Sequence, residues 1–295
     1  MKKYLLKKTE QRKLFLKDRL LFEFYKTMMQ NDYEYEYLNN NIKSLKISPI
    51  RFAKLKFKKS NAIAYYDSNK NKIKYVKSKK EKSLPHELMH MSSTIKEEDG
   101  SIFSGFSQKT KDGEFLLIGN GFNEGYTQLL SERYFPNAVN IAYPIEKLVA
   151  FQLEDILGTR KMEQMYFKAD LMGLIEELSK YKSDSDILYF INSIDYLGNV
   201  YTQNGLIDNF DLIKEVYLYI IDFLTSIKFE KLNEHDLNKT EIKEQIKEYI
   251  DTFIVVLNIK DRNIKYELIN ESMLDYLYND YCDKLNNNKQ KTYSK

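Results

Sequence analysis

Cysteine is almost missing from this sequence of 295 residues, with Cys282 the single example. One thiol forms no internal disulfide, so a disulfide scaffold is excluded and a reducing compartment fits. Proline and glycine are scarce as well, at four and ten residues, which excludes collagen-like and low-complexity architectures. No window of about 18 uncharged apolar residues occurs, and mean hydropathy is -0.55, so the reading is of a chain without a membrane span. The opening Met1-Lys2-Lys3-Tyr4-Leu5-Leu6-Lys7-Lys8 returns to lysine after three residues and offers no apolar stretch for a secretory signal. The expectation is a cytoplasmic protein.

Hydrophobic residues, at 43% against 30% charged, are frequent enough for a packed globular fold of one large or two modest domains. The net charge of +3 hides an asymmetry: the first 80 residues hold 22 Lys and Arg against 7 Asp and Glu, and the remainder 24 against 36. A basic face of this kind is read first as solvated surface lying near the acidic part of the same chain. An alternative is a docking surface for an acidic partner or nucleic acid along residues 1–80.

All four prolines precede residue 145, and six of the ten glycines fall between Gly100 and Gly125. The chain beyond can therefore be continuous helix. Ile145, Leu148, Val149, Leu153 and Ile156 recur at helical spacing up to Gly158. Asn238 and Glu241 open a second such run, and a third spans Ile264 to Leu285; residues 286–295 read as a disordered tail. Upstream, residues 8–30 read as helix and Asn39-Asn40-Asn41 as a break. Alternation from Phe52 to Lys58, at Ala62–Tyr66 and at Ile73–Val76, around the turn Asp67-Ser68-Asn69-Lys70-Asn71, predicts two or three antiparallel strands. A hairpin is expected between Phe103 and Ile118, turning at Lys111-Asp112-Gly113.

The stretch Ser83-Leu84-Pro85-His86-Glu87-Leu88-Met89-His90 carries the chemistry. Residues four apart share one helix face, so His86 and His90 can aim imidazoles at one ion, and Glu87 can hold and deprotonate a water activated by it. With three histidines in the chain, chance would produce this pattern roughly once in a few hundred sequences. Ser83 is the expected cap of the helix, and Pro85 is expected in its first turn.

A catalytic zinc site takes three protein ligands. His235 lies in a polar stretch and reads as surface, so a carboxylate is the expected third. Glu97 and Glu98 stand too near their own helix to fold back, and Glu114 falls in the expected hairpin. Glu124, in Gly119-Asn120-Gly121-Phe122-Asn123-Glu124-Gly125, is favoured: Asn123 can cap a helix that carries Glu124 in its first turn, with Thr127, Gln128 and Ser131 continuing a polar stripe.

The His-Glu-x-x-His pattern and the Asn123-Glu124-Gly125 triplet together resemble the gluzincins, zinc metallopeptidases with the histidines on one helix and a glutamate ligand on a second. The resemblance covers roughly residues 80–135 and implies His86, His90 and Glu124 as zinc ligands and Glu87 as general base. Two departures stand out: the interval between His90 and Glu124 is longer than in familiar members, and the GxMEN exopeptidase motif is absent. In this architecture an exposed strand edge would receive an extended peptide. Tyr126, Tyr134 and Tyr143 are the nearby candidates for stabilising an oxyanion.

These observations predict an α+β protein. Residues 1–140 would form a zincin-like half with a small antiparallel or mixed sheet and two metal-bearing helices, and residues 141–285 an all-helical half. The expected function is zinc-dependent hydrolysis of a peptide or protein substrate. The alternatives are a zinc-bearing binding or regulatory protein and a nucleic-acid-associated protein.

Overall fold

The computed structural model of the protein describes residues 6–50, 63–110, 117–138, 143–203 and 210–232, with isolated positions between 240 and 279. Ten helices and two small sheets among the described residues make the chain mixed α+β.

The first helical region divides into α1 (Lys8–Lys17) and α2 (Arg19–Met28). Asp18 is extended between them, and its carboxylate accepts from the N–H groups of Leu20 (2.9 Å) and Leu21 (3.4 Å), an N-cap inside what reads as one helical run. The expected break at Asn39-Asn40-Asn41 is not there; α3 spans Glu36–Ser44. Leu38 and Ile42 anchor it in the core. The Asn41 amide donates to the carbonyls of Met91 (2.9 Å) and Thr94 (2.7 Å), so distant hydrogen bonds override a weak local preference.

Strands β1 (Lys46–Pro49), β2 (Ala64–Asp67) and β3 (Lys72–Tyr75) form a sheet in the order β1-β3-β2. The β2–β3 pairing is antiparallel around the expected turn, whereas β1 runs parallel to β3, so the sheet is mixed. The register places Lys46, Lys72 and Lys74 on one face. Buried Ile73 and Tyr75 lie on the other, which packs on α4 (Lys80–Ser92). The strand expected at Phe52–Lys58 lies outside the described residues.

Between α4 and α5 (Asn120–Tyr134) runs an antiparallel meander of β4 (Thr94–Lys96), β5 (Ile102–Ser104), β6 (Ser107–Lys109) and β7 (Leu117–Ile118). It fills the long interval between His90 and Glu124. β6 and β7 pair as the expected hairpin arms, and the residues of the turn at 111–113 lie outside the described set. A tighter turn joins β5 to β6 at Gly105, where φ is +54° and a Cβ would stand 2.3 Å from Asn123 Oδ1. Only glycine fits there.

From Pro144 onward the described elements are helices: α6 (Pro144–Leu157), α7 (Thr159–Phe167), α8 (Leu171–Leu178), α9 (Asp184–Gln203) and α10 (Phe210–Leu232). α6 ends at Gly158 as its periodicity predicts. α5 and α6 approach closely because Gly125 has no side chain; a Cβ there would lie 2.2 Å from the backbone of Glu146. α9 packs on α5 and α10 on α9, with Phe190 and Phe223 stacked at 4.1 Å. One buried apolar cluster runs from Leu6 to Ile227. Thr240, Glu241, Glu244, Lys247, Glu248 and Asp251 are helical, in keeping with the run that begins at Asn238. The rest of that run, most of the helix expected from Ile264, the tail 286–295, Cys282 and His235 lie outside the described residues. No described helix is long and apolar enough to cross a membrane.

Candidate metal centre

α4 is buried from Ser83 to Ser92. It starts a turn earlier than the sequence suggests, with Lys79 at its N-cap. The Ser83 hydroxyl therefore donates to the Lys79 carbonyl (2.9 Å) and caps nothing. Pro85 is the sixth helical residue, beyond the first turn, and its missing N–H leaves the Glu81 carbonyl without an intrahelical donor.

His86 and His90 project from one face of this helix, with rings 4.8 Å apart, towards α5. His86 Nε2 lies 3.0 Å and His90 Nε2 3.3 Å from Glu124 Oε2, and the two nitrogens are 3.1 Å apart. Ligands held tetrahedrally about 2.0–2.1 Å from an ion are separated by about 3.3 Å. The triangle has that size, and one ligand atom from each of the three groups lies within 4.8 Å of the others. Among the described residues these three form the group able to hold a metal ion.

The helix that supplies Glu124 is built differently from its local signals. α5 begins at Asn120, so Asn123 is an interior residue and Glu124 lies beyond the first turn. The cap comes from α9: the Asp195 carboxylate accepts from Gly119 N–H (2.8 Å) and Gly121 N–H (2.6 Å). Asn123 instead accepts from Phe106 N–H (3.1 Å) and sets its amide nitrogen 3.4 Å from His90 Nδ1. Of the expected polar stripe, Glu124, Thr127 and Gln128 face α4, and the Ser131 hydroxyl donates back to the Gln128 carbonyl. Gln128 Oε1 is 3.0 Å from His86 Nδ1, and Thr127 Oγ1 is 3.5 Å from His90 Nδ1 and 2.7 Å from the Tyr166 hydroxyl.

Glu87 is 8% exposed and stands outside the ligand triangle. Burial pushes its carboxyl up to about 7; the charge of His86 and the Tyr66 backbone N–H pull it down, and the Glu124 charge adds to the rise. Glu124 goes the other way. Burial opposes its ionisation, but the charges and hydrogen bonds of His90 and His86 outweigh that and hold it well below the usual carboxylate range. Two neighbouring carboxyls are thus driven apart, the pattern that divides roles between an anionic ligand and a proton acceptor poised near neutrality.

Of the three tyrosines, Tyr143 alone reaches the centre. Its ring stacks on His86 at 5.7 Å, and the Glu124 charge, followed by burial, raises its hydroxyl pKa well above the ordinary value. Its backbone is left-handed, with φ +55°, a conformation that costs a non-glycine residue about 1–2 kcal/mol. Tyr126 and Tyr134 turn away to Glu154 (2.6 Å) and Glu163 (2.7 Å), both partners of Arg133. Glu97 and Glu98 are exposed in the β4–β5 connection, away from the triangle, and Glu114 lies outside the described residues.

β2 borders the site. Val76 N–H donates to Ile63 O (2.8 Å), so by alternation the backbone groups of Ala64 and Tyr66 face away from β3, and the Tyr66 N–H meets Glu87. No other described strand pairs with that edge. The basic face is differently placed: Lys72 and Lys74 share the side of the sheet opposite to the one that packs on α4. Asp195, Tyr66 and Asn123 in these roles carry no local signal, because each acts on a segment remote in sequence. Comparison with models of known protein families finds no match, and neither does comparison with curated proteins or with solved structures.

Proposed function

We propose that the protein is a zinc-dependent hydrolase of peptide bonds organised like a gluzincin, with His86, His90 and Glu124 as ligands and Glu87 as general base. The observation that carries the reading is Glu87: a carboxylate buried beside the triangle, taking no part in it, with its pKa close to 7. A purely structural metal has no use for such a group, and burying it costs stability. Two imidazoles and one carboxylate suit zinc in its catalytic coordination, which leaves a position open.

A cation held there supplies Lewis acidity, polarising a carbonyl and acidifying a water. The chain's residues do the remainder. The edge of β2 that no described strand covers pairs with the backbone of an extended substrate through Ala64 and the Tyr66 carbonyl, the Tyr66 N–H being held by Glu87, so recognition tolerates many side chains. Glu87 accepts the proton of the attacking water and passes it to the leaving amine. The Tyr143 hydroxyl donates a hydrogen bond to the oxyanion that develops on the former carbonyl oxygen. Burial of Glu87, His86 and His90 keeps bulk water from competing.

The test is a peptide library incubated with the zinc-loaded protein and read by mass spectrometry. Cleavage by the wild type and none by Glu87→Gln, with zinc retained in both, is the expected result. Zinc binding without cleavage of any peptide or cellular protein would instead identify a zinc-bearing binding protein.

A further inference from the structure

The row that begins with Glu124 continues along α5 through Gln128 and Glu132 at intervals of four residues, and all three side chains engage neighbours. Gln128 Oε1 stands 3.0 Å from His86 Nδ1, Gln128 Nε2 donates to Glu132 Oε1 at 2.7 Å, and Lys147 Nζ of α6 donates to both Glu132 oxygens at 2.9 and 3.1 Å. We propose that Gln128 and Glu132 are positioning residues that hold a proton on His86 Nδ1 and so keep Nε2 turned towards Glu124 and the place of the cation. The proposal rests on the His86/His90/Glu124 metal site and not on the bond that is cut.

An amide can present either end to an imidazole, and the wrong end would be harmful here. If the Gln128 nitrogen faced Nδ1, that ring atom would have to accept, and the proton would move to Nε2, in the middle of the ligand triangle. The ring's own preference in solution is for that same Nε2 proton. Gln128 is held against the flip because acceptors surround its nitrogen: Glu132 Oε1, and the Ala138 carbonyl at 3.4 Å. A carboxylate accepts only, and Lys147 Nζ holds Glu132 in place through both of its oxygens. The order of donors is therefore fixed from the surface inward: Lys147 to Glu132, Gln128 to Glu132, His86 to Gln128. Metal-ligating histidines commonly pass their other N–H directly to a carboxylate or a carbonyl. In this chain a neutral amide stands between, and it needs Glu132 to acquire a direction.

His90 is the contrast. Its Nδ1 has only longer neighbours, Asn123 Nδ2 at 3.4 Å and Thr127 Oγ1 at 3.5 Å, and Thr127 can donate or accept. His86 is the ligand whose orientation is defined before a cation arrives.

Imidazole ¹⁵N NMR on the metal-free protein reads the tautomer directly, and competition with a chelator of known affinity reads zinc binding. In the wild type, His86 should carry its proton on Nδ1. Gln128→Met should shift the population towards Nε2–H and weaken zinc by about 10- to 100-fold, the usual cost of removing such a partner. Glu132→Met should shift the tautomer in the same direction by a smaller amount, and Glu132→Gln, whose amide can turn either end to Gln128, should restore it only in part. A merely structural role for Glu132 would lower the melting temperature without moving the tautomer. Should Gln128→Met fail to fold, Gln128→Glu decides the matter: a carboxylate has no wrong end, so adding Glu132→Met to that background should leave zinc affinity unchanged. An Nδ1 without a proton on His86 in the wild type, or a Glu132→Met effect of equal size in both backgrounds, would overturn the proposal. Failure of the wild type to bind zinc would refute the metal site alone, and the tautomer would still decide the chain from Gln128 to Lys147.

Discussion

Glu87→Gln tests the site through stability as well as rate. The substitution keeps the shape of the side chain and an oxygen to accept the Tyr66 N–H, and it removes a buried charge. Because the folded-state pKa is raised from 4.5 to about 7, the contribution of Glu87 to stability is fully present below pH 4.5 and is lost as the pH rises through 7. That interval is worth roughly 3 kcal/mol at pH 8 and under about 1 kcal/mol at pH 5. In urea titrations of metal-free protein, Glu87→Gln should therefore be more stable than the wild type by about 3 kcal/mol at pH 8, with the gain shrinking below about 1 kcal/mol at pH 5. In the zinc-loaded protein the same variant should retain the metal and lose about 10²- to 10⁴-fold in hydrolysis. Opposite signs for stability and activity are what a base maintained for chemistry produces. A stability gain absent at pH 8, or equal at both pH values, would show that the carboxylate is not held desolvated, and the reading of Glu87 as a poised base would go with it.

Elemental analysis should find about one zinc per chain, lost in His86→Ala or His90→Ala and sharply weakened in Glu124→Gln; full affinity in the last variant would mean a different third ligand. Tyr143→Phe should lower kcat by about 10²- to 10³-fold with little change in KM, as for loss of one oxyanion donor, and an unchanged kcat would remove Tyr143 from the chemistry. Arg133→Met leaves Glu154 and Glu163 buried without their cation, so chemical denaturation should show a loss of about 3–5 kcal/mol. Lys72→Glu with Lys74→Glu should leave the cleavage profile indifferent to substrate charge, because those side chains stand on the far face of the sheet; a new preference among acidic and basic peptides would contradict that placement.

How much of this was legible follows the range of the interactions involved. His86, Glu87 and His90 are spaced by a single helix, so their spacing alone predicts the shared face. Glu124 is legible as the carboxylate that a second helix can bring to the set, and the stripe of Thr127, Gln128 and Ser131 follows from helical periodicity. The α6 run ending at Gly158 and the turn between β2 and β3 were also local and readable. What the sequence misjudged was settled from afar. Ser83 looks like a cap, but the helix continues upstream of it into Lys80, whose ammonium meets Asp18 at 2.6 Å. Asn39-Asn40-Asn41 looks like a break until Asn41 is seen to hold the carbonyls of Met91, in the last turn of α4, and Thr94, at the start of β4. Asn123 looks like a cap because Asp195, the residue that performs that task, is more than 70 positions away. The parallel pairing of β1 with β3 has no signature in either strand.

The grip of Asp195 on the start of α5 changes what the smallest working piece of this chain can be. The three candidate ligands, the proposed base and the sheet edge lie before residue 140, so a fragment cut there would hold the whole proposed set. It would also leave the first turn of α5 with bare N–H groups, strip Arg133 of both its carboxylates, and remove Tyr143 and Lys147. The described helices beyond residue 143 bring none of the proposed ligands and not the proposed base, yet they hold the Glu124 helix at its beginning, along its flank and at its end. Inheritance of the metal centre therefore requires inheritance of its scaffold, and a recombinant or evolutionary exchange that swaps the two portions would succeed only where an acidic residue on the new helix again meets the backbone of Gly119 and Gly121.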